Sequence, residues 1–129
     1  MEPEREVLVA VPDLLFGVQI ANAVRGAGGT PRTMRRGADA RAALGGPEGP
    51  PPAAVVVDLA APLDTGALIR AAAEAGVPVF AFGPHLDGAA IQAARAAGAT
   101  RVVANSALAR ALPDWLAARL GTAGLAPEP

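Results

Sequence analysis

The chain has 129 residues, enough for one domain with a buried core, and it is 52% hydrophobic with a formal net charge of −1. This near-neutral balance gives no electrostatic basis for binding nucleic acid or an anionic membrane surface, and no apolar run is long enough to span a bilayer. The absence of cysteine and the presence of a single histidine, His85, exclude disulfides, thiolate metal sites and histidine-rich metal clusters.

All basic residues are arginine, so chemistry that needs a lysine ammonium is excluded. The first six residues are acidic overall and lack the basic start of a signal peptide. Together with the composition, this predicts a soluble, cytoplasmic protein.

The first third of the chain reads as strand, helix and edge strand. Residues 7–11 form a continuous apolar run that is typical of a strand covered on both faces. Asp13 is placed to cap a helix running to residue 27, where Gly28 ends it. Apolar residues recur at helical spacing in that helix: Leu14, Leu15, Val18, Ala21 and Val24. Residues 30–34 are a weak strand that Pro31 places at a sheet edge.

The remaining elements continue the alternation. An alanine-rich helix is predicted over residues 38–44, followed by a Gly/Pro-rich loop over residues 45–52. Strands are predicted over residues 53–58, 77–82 and 100–104, and helices over residues 67–75, 87–97 and from a cap at Asn105 or Ser106 to about residue 120. Pro113 predicts a kink or restart in the last helix, and residues 121–129 a frayed tail.

Five strand–helix pairs in succession predict a parallel sheet with helices on both faces. The Gly/Pro loop is too short to separate two domains, so residues 1–129 are expected to form a single domain with its core over about residues 7–120.

One carboxylate, Asp58, stands at the end of the most apolar predicted strand. In a parallel α/β sheet, ligands and chemistry gather at the carboxyl ends of the strands. Asp58 is therefore the main candidate functional residue. Pro62 and Gly66 follow it and are interpreted as turn residues.

In this order and spacing, the chain resembles a response-regulator receiver domain over about residues 7–120. Asp58, Pro62 and Gly66 match that family's phosphoacceptor aspartate, the proline four residues on and the glycine eight residues on. The segments at residues 78–82 and 96–99 are similar to the family's fourth strand and to the turn before its fifth. The resemblance implies a flavodoxin-like doubly wound sheet of order 2-1-3-4-5 and a role in bacterial two-component signalling.

The resemblance breaks at the charged positions of the family's phosphorylation site. The acidic pair that holds Mg²⁺ at the end of the first strand falls on Val11 and Pro12, with Asp13 one position further on. The switch hydroxyl falls on Gly83 and the phosphate-binding lysine on Asn105. The family's chemistry needs those groups, so the resemblance implies a degenerate receiver in which Asp58 is a vestigial phosphoacceptor, with no metal, no cofactor and no enzymatic activity.

Three functions remain open from the sequence. The first is a phosphorylation-independent interaction module that contacts a protein partner or a second copy through the face formed by the fourth helix, fifth strand and fifth helix. The second is a small-ligand module whose strand-end crevice, lined by Val11, Pro12, Asp58, Gly83 and His85, holds a nucleotide or another metabolite. The third is a weak true receiver phosphorylated on Asp58.

Overall fold

The apolar runs of the sequence lie side by side in one parallel sheet. The computed structural model describes residues 5–34, 44, 51–84 and 88–121. Its strands are β1 (Glu6–Ala10), β2 (Thr30–Thr33), β3 (Ala54–Asp58), β4 (Val79–Gly83) and β5 (Arg101–Ala104). Their spatial order is β2-β1-β3-β4-β5, and every neighbouring pair is parallel. This confirms the predicted flavodoxin-like doubly wound fold.

The helices of the described residues are α1 (Leu14–Gly26), α2 (Thr65–Glu74), α3 (Gly88–Ala97) and α4 (Asn105–Leu120). Apart from Leu44, which is helical and buried, the helix predicted over residues 38–44 lies outside the described residues. The elements α3 and α4 are therefore the fourth and fifth helices of the sequence prediction. Within the described ranges, no helix combines the length and the apolar character needed to cross a bilayer.

Two hydrophobic layers cover the sheet, one on each face. Successive strand residues point to opposite faces, so β1, β3, β4 and β5 each contribute to both layers. Phe80 and Phe82 of β4 lie in the layer that includes α1 and α4, whereas Val79 and Ala81 lie in the layer that includes α2 and α3. The inner strands β1, β3 and β4 are therefore covered on both faces, which explains their mostly apolar sequence, whereas the edge strand β2 is polar and largely exposed.

The packing of α1 shows which of its apolar residues face the sheet. Leu14, Leu15 and Val18 are exposed, and the side chains that contact the sheet layer are Phe16, Ile20, Ala23 and Val24. The exposed and the buried side chains of α1 both recur at helical spacing, so the spacing alone does not tell which side of the helix is buried. The Phe16 ring meets Phe82 edge-on, with centroids 5.5 Å apart, which fixes the buried direction.

Two helix starts also differ from the prediction. The carboxylate of Asp64 accepts the backbone N–H of Ala67 at 2.9 Å, so α2 begins at Thr65 instead of residue 67. Helix α4 has Ala104 as its N-cap residue with no side-chain cap, so the predicted caps Asn105 and Ser106 are helical residues. Pro113 lies inside this continuous helix on an exposed position, so the predicted restart is absent.

Candidate functional site

The sheet register brings the predicted site positions to one edge. Ala10 pairs with Val57, and Asp58 pairs with Phe82, so the ends of β1, β3 and β4 are level. Gly83 pairs with Ala104, directly before Asn105. Neighbouring strands lie about 4.8 Å apart. Val11, Asp58, Gly83 and Asn105 therefore line the same carboxyl edge, with Asp58 between the ends of β1 and β4.

Among the described residues, Asp58 is the one charged residue that is buried, with 8% of its surface exposed. Its carboxylate oxygen Oδ1 accepts the N–H of Ala60 at 2.9 Å, and its backbone carbonyl accepts the N–H of Ala61 at 3.0 Å. The next residue, Leu59, donates its N–H to the carbonyl of Phe82 at 2.8 Å. Asp58 therefore holds the turn that leaves β3, in the manner of an Asx turn.

The end of β1 brings no second carboxylate to Asp58. Val11 is buried and aliphatic, and Pro12 carries no ligating atom. Asp13 is exposed and caps α1, its Oδ1 accepting the N–H of Phe16 at 2.8 Å. The capping interaction fixes Asp13 at the start of the helix, as its position in the sequence predicts.

Among the described residues at the ends of β4 and β5, none carries a positive charge. Gly83 is a buried strand residue with no side chain to reach toward Asp58. Asn105 is partly buried, and its side-chain oxygen Oδ1 is enclosed without a hydrogen-bond partner. A neutral amide can donate or accept a hydrogen bond, but it cannot neutralise an anion.

The structure separates the remaining predicted positions. Pro62 lies in an exposed bend after β3, as a turn residue should. Gly66 belongs to the first turn of α2, so its interpretation as a turn residue is wrong, because the cap at Asp64 starts the helix before it. His85 lies outside the described residues.

These residues do not fit a magnesium ion. Mg²⁺ prefers an octahedral set of oxygen ligands that includes carboxylates. Asp58 offers one carboxylate, already holding Ala60 N–H, and the neighbouring positions Val11, Pro12 and Gly83 offer no side-chain oxygen. Over the described ranges, no three His, Cys, Asp or Glu side chains come together as a metal site would require.

Two cavities lined by described residues open beside the sheet, and Asp58 is not among the lining residues of either. The larger, of about 460 Å³, lies between the start of α2 and α3. Its lining residues are Leu59, Ala60, Thr65, Gly66, Ile69, Pro84, Ala90, Ala93 and Ala94, none of them charged. The smaller, of about 260 Å³, follows α1 from Val11 to Arg25. The crevice predicted around Asp58 includes His85, which lies outside the described residues, so it stays a prediction.

No protein-family model and no curated protein sequence matches this chain. Solved structures do match. A protein described as a response regulator from Chloroflexus aurantiacus J-10-fl superposes with a TM-score of 0.76 at 20% identity, over 91% of this chain and 98% of that chain. The phosphorylated cyanobacterial phytochrome response regulator RcpA gives 0.70 at 16% identity, over 89% and 90% of the two chains. The chain has the receiver fold.

A third receiver structure is the beryllofluoride-activated receiver domain dimer of NtrC4. It matches with a TM-score of 0.66 at 18% identity, over 78% of this chain and 84% of that chain. The receiver fold is therefore shared by this chain and these solved structures.

The sequence did contain signals for two features that the prediction missed. Asp64 stands three residues before Ala67, which is the spacing of an N-cap to the N–H that it accepts. In α1, Phe16, Ile20 and Val24 follow one another at four-residue spacing, which is typical of the buried side of a helix.

Proposed function

We propose that this chain is a receiver-like regulatory module of two-component-type signalling that works through protein contacts, without phosphorylation and without catalysing a reaction. The observation that carries the proposal is the isolation of Asp58: its carboxylate holds the β3–α2 turn, while Val11, Pro12, Gly83 and Asn105 stand at the neighbouring strand ends.

The reason is electrostatic. Phosphoryl transfer to a carboxylate brings an anionic donor to an anionic nucleophile, and catalysis consists mostly of positioning and of neutralising the charge on the transferred oxygens. Asp58 is a buried carboxylate, and the described residues bring no group of three metal-ligating side chains together to supply that neutralisation. Gly83 and Asn105 also leave no hydroxyl or ammonium to respond to a phosphoryl group.

We assign partner binding to the face formed by α3, β5 and α4. These elements carry four exposed arginines, Arg95, Arg101, Arg110 and Arg119, against one exposed carboxylate, Asp114, among the described residues. The guanidinium of Arg119 lies 4.8 Å from the ring centroid of Trp115, which holds it in place for a contact. A surface of this charge favours a partner with an acidic face.

A second candidate function rests on the 460 Å³ cavity between α2 and α3, whose size falls in the range of small-molecule sites. Its lining has no charged side chain, which favours an uncharged apolar ligand over a nucleotide. A thermal-shift screen that includes both ligand classes separates them, because only a compound that binds the folded state raises the melting temperature.

The proposal predicts that beryllofluoride with Mg²⁺ leaves the amide NMR spectrum of the full chain unchanged. Beryllofluoride mimics an acyl phosphate and needs the charge-neutralising groups that the strand ends lack. The control is Asp58→Asn, which keeps the turn-holding oxygen and removes the nucleophile. Shifts around β3, β4 and β5 in the parent chain that vanish in Asp58→Asn would instead establish a weak true receiver.

A further inference from the structure

The exposed large hydrophobic side chains of the described residues all lie on α1. Leu14 is 77% exposed, Leu15 is 72% exposed and Val18 is 55% exposed. Scattered apolar residues on a surface need no explanation, but a contiguous group marks a contact site. Val18 is three or four positions after Leu15 and Leu14 on the same helix, so the three side chains are neighbours on its surface and form one patch.

The same helix lies beside a groove whose lining includes two small residues, Gly17 and Ala21. The groove of about 260 Å³ is lined by Leu14, Gly17, Val18 and Ala21, with Asp13 at one end and Arg25 at the other. Gly17 and Ala21 are small, which lets a second helix approach closely. Arg25 is the one charged residue within α1, so the middle of this surface is uncharged.

The ends of the groove are complementary to each other in charge. Asp13 and Arg25 are twelve positions apart, about 18 Å along a helix axis. When two copies of α1 lie antiparallel about a twofold axis near Val18, the Asp13 end of each copy meets the Arg25 end of the other. An isologous contact requires this kind of self-complementarity.

We propose that the α1 surface, made of Asp13, Leu14, Leu15, Val18, Ala21 and Arg25, pairs antiparallel with the same surface of a second copy. The aliphatic side chains supply the buried area, and the two Asp13–Arg25 pairs set the orientation. The residues of this surface are different from those of the α3, β5 and α4 face, although α1 itself packs against α4.

The dimer is expected to be weak and reversible. Three aliphatic side chains and two small residues provide less than the roughly 800 Å² per partner of a standard stable interface. Exposed ion pairs add little affinity and are screened by salt. The contact therefore responds to local protein concentration, which suits a regulatory module.

Cysteine cross-linking of the full chain tests the proposal, because the natural sequence has no cysteine. We expect Val18→Cys, near the twofold axis, to form a disulfide-linked dimer under mild oxidation many times faster than Gln92→Cys on α3 or Ala109→Cys on α4. All three positions are exposed. Equal rates at the three sites would mean random collision, and faster linkage at Gln92 or Ala109 would place the second copy on the other face; either result overturns the proposal.

Sedimentation of uncross-linked variants tests the charge pairing. Arg25→Glu turns both attractive pairs into repulsive ones and is expected to weaken dimerisation about tenfold at low salt. Arg70→Glu, the same change on the exposed surface of α2, leaves the dimerisation constant unchanged. A chain that stays monomeric at every concentration, or an Arg25→Glu dimer as strong as the parent, contradicts the proposal.

A glycine pair separates helix stability from dimerisation. A Cβ at Gly17 would lie 3.6 Å from the Val11 carbonyl, an ordinary contact, and a Cβ at Gly26 would meet nothing within 4 Å. Both Gly17→Ala and Gly26→Ala should stabilise α1, but only Gly17→Ala narrows the groove. Weaker dimerisation in Gly17→Ala alone supports the α1 contact, and equal dimerisation in the two variants opposes it.

Discussion

We expect Gly98→Ala to lower the free energy of unfolding by about 3 kcal/mol or more, measured by urea denaturation. Gly98 ends α3 with φ of +118°, a conformation that costs other residues roughly 1–2 kcal/mol. A Cβ at this position would also lie 2.6 Å from the Cβ of Ala73 on α2. Relieving such overpacking costs a further 1–3 kcal/mol or so.

Two further variants separate the contributions of backbone strain and overpacking to the stability lost in Gly98→Ala. Gly76→Ala has the strained φ of +76° but no atom within 4 Å of the added Cβ, so it should lose only the conformational part. Adding Ala73→Gly to Gly98→Ala removes the clash and should recover part of the stability despite the helix propensity lost at Ala73. If Gly98→Ala lowers the free energy of unfolding no more than Gly76→Ala does, Gly98 does not approach Ala73 of α2 as closely as in the structure.

Phe80→Ala is expected to cost about 3–5 kcal/mol of unfolding free energy, because it leaves a large cavity in the core. Phe80 is fully buried on β4, and its ring meets Trp115 edge-on with centroids 5.4 Å apart. The change also removes the ring contact between β4 and α4. Far-UV circular dichroism against urea measures the loss, and the fluorescence of Trp115, the single tryptophan, reports the same transition.

The matched control for this cavity is Phe80→Leu, which keeps most of the volume and should cost less than half as much. Combining each change with Trp115→Phe gives the coupling between the two rings, which is expected to be about 0.5–1.5 kcal/mol for an edge-on pair. A loss below 1 kcal/mol for Phe80→Ala would contradict the placement of Phe80 in the core between sheet and α4.

The fold was predictable because its signals are local and redundant. Short apolar runs, each followed by a helix that a glycine ends, leave few arrangements other than a parallel sheet with helices on both faces. The strand order came from the spacing of Asp58, Pro62 and Gly66 and the resemblance that it carries. The order β2-β1-β3-β4-β5 and the neighbouring receiver structures agree with it.

The exposed surface was less predictable, since it depends on tertiary packing. The apolar residues of α1 lie on more than one side of the helix, and periodicity alone does not tell which side faces the sheet. The edge-on contact of Phe16 with Phe82 decides it, and that contact joins residues far apart in sequence. Leu14, Leu15 and Val18, which also recur at helical spacing, are exposed for the same reason.

The candidate site was less predictable from the sequence than the fold, but more predictable than the exposed surface. The sequence placed Asp58 at a strand end, and the sheet register brings Val11, Gly83 and Asn105 to the same edge. The sequence also predicted the cap at Asp13, but not the cap at Asp64. Asp13 and Asp64 hold helix starts and Asp58 holds a turn, so each of these three carboxylates accepts a hydrogen bond from the backbone.

We propose that the receiver fold persists here without the groups that assist phosphoryl transfer to its aspartate. The intact mass of the full chain after incubation with acetyl phosphate and Mg²⁺, measured beside Asp58→Asn, tests this proposal. We expect no added phosphoryl group on either protein. One phosphoryl group on the parent chain, absent from Asp58→Asn, would contradict it.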